Sequence, residues 1–142
     1  MIEEDYVSYE TAQLLKSKGF DELCYACYEY FRSGVTMYSG WLFEYKGEPV
    51  HNTNDRVKCP TLQVAMKWLR EIYHIHTEIC LYKTNKDDIE PKKSRKAPYY
   101  TFRVWDSVTG NNVDKRLTNN FIGDTYEQAC EAAILYCLEN LI

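Results

Sequence analysis

The sequence predicts an α+β fold: three helices packed on one face of a mainly antiparallel, four- to five-stranded sheet. Three stretches carry that prediction. Between Cys59 and Tyr82 a helical hydrophobic period passes directly into a strict alternation. From Asp124 to Leu141 apolar residues recur at helical spacing without a miss. Tyr99–Asp106, YYTFRVWD, has the aromatic and β-branched content of a strand.

In chain order, the first helix is expected within Tyr6 to Lys18. Ser8 is its N-cap, Glu10 suits the positive end of the helix dipole, and Gly19 stops it. Cys24 to Phe31 is dense in aromatics and fits a strand or a helix, the strand being favoured; Ser33-Gly34 breaks it, and Met37 to Lys46 reads as a second aromatic strand, ended by Gly47 and Pro49. His51 to Lys58 is polar and reads as a loop. Thr61 then caps a helix whose apolar face is Leu62, Ala65, Met66, Leu69 and Tyr73. After Tyr73 the period becomes two, as in a half-buried strand running from Ile75 to Tyr82. The stretch at about 84–98 has almost no apolar content, two prolines and a basic cluster, and is expected to be a mobile polar loop. Its flanking strands would pair as a hairpin. Val113 to Ile122 is expected to add a weaker strand. Asp124 or Thr125 caps the last helix, with Tyr126, Ala129, Cys130, Ala133, Ile134, Cys137, Leu138 and Leu141 on its stripe.

A chain of 142 residues fits one domain, 1–142, and can bury a core without metal or disulfide staples. The formal net charge of −4 disfavours a general nucleic-acid binder, whose affinity comes mostly from neutralising phosphates. The acidic opening MIEEDYVSYE has no apolar core of a secretory signal, and no apolar run approaches bilayer length. No membrane association is expected, and the expected compartment is cytoplasmic, where the six cysteines would be reduced, buried thiols.

Four segments, YVSYETAQLLKSKGFDE, CPTLQVAMKWLREIYHIHTEI, PYYTFRVWD and TYEQACEAAILYCLENLI, follow one another in this order. Together they resemble an uncharacterised family of small proteins found in Bacteroides-type gut bacteria and in their phages and prophages. The resemblance touches both ends and the middle of the chain. It implies a bacterial or phage origin, cytoplasmic residence and no cofactor; it implies no activity. The order helix, strand, strand, possible strand, helix from Thr61 onward is also similar to a double-stranded-RNA-binding domain. Such domains grip phosphate with lysines at the start of the last helix, where this chain has Gly123-Asp124-Thr125-Tyr126-Glu127.

Cys24-x-x-Cys27 with His74-x-His76 is the candidate metal set, since zinc takes thiolates and imidazoles. Its second half lacks the usual spacing, so packed or exposed side chains are the expected reading, with no metal and no cofactor. No nucleophile elbow, phosphate loop or dinucleotide fingerprint is present, and no catalytic residue is assigned.

Strand parity supplies a candidate binding face. If Tyr100, Phe102 and Val104 face the core, Tyr99, Arg103 and Trp105 face away. If Ile75, Ile79 and Leu81 face the core, then His76, Glu78 and Tyr82 join them on the other side. Tyr, Trp and Arg are enriched at interaction hot spots, and the chain holds 13 tyrosines. The expected function is a small interaction module of a phage, prophage or mobile element, with a protein partner or a second copy of itself. The alternative is a weak nucleic-acid-binding accessory protein using Lys92, Lys93, Arg95 and Lys96. An enzyme of unknown class comes third.

Overall fold

Ser8 accepts a hydrogen bond from the Thr11 N–H at 3.2 Å and starts helix α1, Tyr9–Ser17. In the computed structural model this is the first of three helices among the described residues, each capped by the hydroxyl residue that the sequence offers. The structure describes residues 2–29, 32–33, 36–37, 41–83, 98–114 and 121–142, with the backbone alone at 32–33, 36–37 and 41. Gly19, at φ +88°, turns the chain in the left-handed region that a side chain disfavours. Phe20 then folds back, its N–H on the Leu15 carbonyl at 2.9 Å and its ring buried edge-on against Trp68.

Strand β1, Ala26–Glu29, leads through β2, Arg32–Ser33, and β3, Thr36–Met37, to β4, Trp41–Glu44. β2 pairs with β3, and β1 pairs antiparallel with β4. The expected polar loop His51 to Lys58 is corrected here: Arg56–Lys58 is strand β5, antiparallel to the other edge of β1. Two charged residues around one valine hide that strand in the sequence. In the fold a tight turn bridging Thr53 and Arg56 delivers it, and the Asn52 carboxamide oxygen accepts the Lys58 N–H at 2.9 Å. The Lys58 ammonium is buried and donates to the Asp21 carboxylate at 2.8 Å and to the Asp21 and Glu22 carbonyls.

Helix α2, Leu62–Tyr73, begins at Thr61 and ends at His74, which takes the left-handed conformation (φ 57°) and turns the chain at once into strand β6, Ile75–Tyr82. β6 pairs antiparallel with β7, Tyr99–Asp106, through eight unbroken pairs from Ile75 with Asp106 to Tyr82 with Tyr99. The loop expected at about 84–98 lies outside the described residues except for the exposed Pro98. Helix α3, Tyr126–Asn140, is capped by Thr125.

The class is α+β, with five of the strands divided between two antiparallel sheets, β4-β1-β5 and β6-β7, rather than joined in one. α3 lies on both β6 and β7, and α2 lies on β6 and α3. α1 instead packs against α3 and β5. One core joins the three helices with β1, β5, β6 and β7: Val7, Leu15, Ala26, Val57, Leu69, Ile75, Phe102 and Ile134 are each buried within it. Most of the weaker strand expected at Val113 to Ile122, residues 115–120, lies outside the described residues. The residues that flank it bridge β7, Asn112 to Trp105 and Gly123 to Tyr100.

Two burial expectations are corrected. Trp68 rather than Tyr73 completes the buried face of α2, because Phe20 and Tyr73 both pack edge-on against its indole and leave Tyr73 at the rim. Leu81 lies on the core side of β6 yet is 60% exposed, and Ile79 is half-buried. Burial therefore fades along β6, from Ile75 and Thr77 near α2 to Leu81 and Tyr82.

Candidate functional site

The alternation of β6 and β7 sends two rows of side chains away from α2 and α3. One row is His76, Glu78, Cys80 and Tyr82; the other is Trp105, Arg103, Thr101 and Tyr99, directly opposite in that order. The six residues proposed from parity thus share one face. His76, Glu78 and Tyr82 are exposed, and Tyr99, Arg103 and Trp105 are half-buried.

Side-chain bonds fix much of this surface. The Trp105 indole N–H donates to Glu78 Oε2 at 2.8 Å, a diagonal contact across the two strands. Glu78 Oε1 receives the Cys80 thiol at 3.6 Å. Partial burial, and then the neighbouring Glu78 charge, push that thiol's pKa up. Tyr82 and Tyr99 stack with ring centroids 5.7 Å apart and planes 21° apart. The Trp105–Glu78 bond and the Tyr82–Tyr99 stack hold large rings in place before any partner arrives, which lowers the ordering cost of binding.

Arg103 sits opposite Glu78 in the ladder but reaches the other way. Its guanidinium stands 4.0 Å from Asp114 Oδ1. Asp114 is buried, and its Oδ2 accepts the Val104 N–H and the Asn112 amide, each at 3.0 Å. The carboxylate therefore takes the place of a neighbouring strand's carbonyl at the edge of β7. Sequence reading missed Asp114, because nothing local marks a carboxylate ten residues from the N–H that it serves. It also passed over Cys80 and Thr101, which strand parity does place in the middle of the face. The Thr101 side chain is buried there, and its hydroxyl has no hydrogen-bond partner among the described residues.

The other candidates do not converge. Cys24 and Cys27 are buried in and beside the first sheet, while His74 and His76 are exposed at the start of β6. Among the described residues no three His, Cys, Asp or Glu side chains form a metal-binding group. Desolvation raises the Cys24 and Cys27 thiols to about 11, which is the setting of inert core cysteines. Lys92, Lys93, Arg95 and Lys96 lie outside the described residues. A separate groove of about 530 Å³ opens between the N-terminus of α1 and α3, with Tyr6, Leu62, Phe121 and Leu135 as walls and Asp5 and Glu127 at its edge. No helix among the described residues is long and apolar enough to cross a membrane.

Compared with protein-family models, with curated proteins and with solved structures, the chain matches none.

Proposed function

We propose that this protein is a small interaction module that binds a protein partner through the outer face of the β6–β7 hairpin. The observation that carries the reading is the preorganised row of Trp105, Arg103 and the Tyr82–Tyr99 stack on one surface, fixed by Glu78 and Asp114. Large rings with polar tips offer contact area at low entropic cost, and Arg adds directed donors. The mobile-element setting comes from the family resemblance alone and belongs to this proposal. The nucleic-acid alternative rests on a basic cluster outside the described residues, and among the described residues no converging set of groups supports an enzyme.

The test is capture from the native host with wild-type bait and with the double variant Tyr82→Ala, Trp105→Ala. Arg103 is left in place, because reversing its charge would set a second carboxylate beside buried Asp114. The expected result is one protein bound in constant ratio to wild-type bait and lost from the variant, with a near-native melting temperature in the variant. Equal capture by both baits, or capture of nucleic acid instead, would overturn the reading.

A further inference from the structure

We propose that the protein self-associates through the open edge of β6, two copies pairing antiparallel to form a continuous sheet in the order β7-β6-β6-β7. This goes beyond the binding face and does not depend on it.

In an antiparallel ladder, alternate residues direct their N–H and C=O groups to opposite sides of the strand. The Ser107 N–H donates to the His74 carbonyl at 2.8 Å, which sets the phase of this ladder. His76, Glu78, Cys80 and Tyr82 therefore bond to β7, and Ile75, Thr77, Ile79 and Leu81 point their backbone groups away. On β7 the same phase turns Tyr100, Phe102, Val104 and Asp106 outward. Three of these N–H groups meet acceptors among the described residues: Tyr100 the Gly123 carbonyl at 2.9 Å, Val104 the Asp114 carboxylate at 3.0 Å and Asp106 the Asn111 carbonyl at 2.8 Å. That edge of the hairpin is engaged at both ends and in between. Along β6, no described residue pairs with the outward backbone groups, and β6 ends its sheet.

Edge strands are ordinarily blunted by proline, lysine, bulges or shortness. β6, IHTEICLY, is eight residues long, has no proline, glycine or lysine, and runs without a bulge. Leu81 and half of Ile79 are left uncovered on its core side. Such an edge is self-complementary, because the same four residues both donate and accept, so a two-fold axis closes the pairing. Charge then selects the register. An axis through Glu78 would oppose two carboxylates, which is unfavourable. An axis through Thr77 sets His76 across from Glu78 of the second copy, twice, on the outer face. It also sets Ile75 across from Ile79, twice, on the core side. A foreign extended peptide matches the backbone but gains no such doubled side-chain complementarity.

The experiment combines sedimentation equilibrium of the intact chain with residue-resolved amide exchange over a range of protein concentrations. The expected result is a dimer in which the Thr77 and Ile79 amides become protected as concentration rises. The His76, Glu78 and Cys80 amides should be protected throughout. Ile79→Pro removes an edge N–H that the hairpin does not use; it should give a monomer with the hairpin amides still protected. A wild-type monomer at every concentration would overturn the proposal, whether its Thr77 and Ile79 amides exchange fast or not. So would a dimer that survives Ile79→Pro, or one whose Thr77 amide stays unprotected. If Ile79→Pro fails to fold, the wild-type exchange pattern decides alone.

Discussion

Glu131 ties the two ends of the chain together, and its removal is the sharpest test of how α1 is held. Its Oε1 accepts the Ser8 N–H at 3.0 Å and the Thr11 hydroxyl at 2.5 Å, so a carboxylate on α3 sits on the N-terminus of α1. Thr11 is fully buried, whereas the Ser8 contact is exposed. In Glu131→Ala, water can replace the acceptor at the Ser8 N–H, while the buried Thr11 hydroxyl is left only the Ser8 hydroxyl, 3.1 Å away. Exchanging a carboxylate acceptor for a hydroxyl costs about 1–2 kcal/mol, and the lost charge at the helix N-terminus adds about 0.3–1 kcal/mol. The better helix propensity of alanine returns only a few tenths of a kcal/mol. The expected loss is about 2 kcal/mol, or roughly 4–8 °C in melting temperature for a chain of this size. Glu131→Gln keeps an oxygen acceptor and should lose about 1 kcal/mol. Thermal and urea denaturation of both variants, with Thr11→Val to complete a double-mutant cycle, provides the measurement. A coupling between residues 11 and 131 of about 1–2 kcal/mol is expected. Glu131→Ala within about 0.5 kcal/mol of wild type would refute the reasoning and mean that α1 docks by apolar packing alone.

Further outcomes follow from burial and charge. Ala133→Asp places a carboxylate at a fully buried position of α3 and should cost several kcal/mol, read as loss of the cooperative melt. Asp114→Ala leaves the buried Val104 N–H without its acceptor and should cost about 1–3 kcal/mol in urea denaturation. Among the thiols, Cys80 is half-exposed and the other five are buried; a thiol reagent at neutral pH should label Cys80 first, and the remainder only on unfolding. Burial raises Cys24, Cys27 and Cys130 from 9.0 to about 11. In that window the unfolded chain has released protons that the folded chain retains, so stability should fall as pH rises from about 9 towards 11. The fall should be shallower in Cys130→Ala, by denaturant titration at each pH.

The sequence by itself determined the helices and the central hairpin, because their signals are local. Ser8, Thr61 and Thr125 each accept an N–H three residues on, and such a cap needs no other part of the chain. The alternation of Ile75–Tyr82 and Tyr99–Asp106 fixed which residues share a face, since a strand's side chains have a period of two whatever it packs against. Tertiary structure decided what depends on distant partners. Arg56–Lys58 becomes a strand only because β1 presents an edge to it, and Lys58 is buried only because Asp21 and two carbonyls meet its charge. Trp68 joins the core because Phe20 folds back past Gly19 to cover it. Asp114 acquires its role from an N–H that the β7 edge happens to expose. Whether five strands form one sheet or two is likewise a matter of which edges meet, and an edge has no period in the sequence; its backbone groups are the same in every residue.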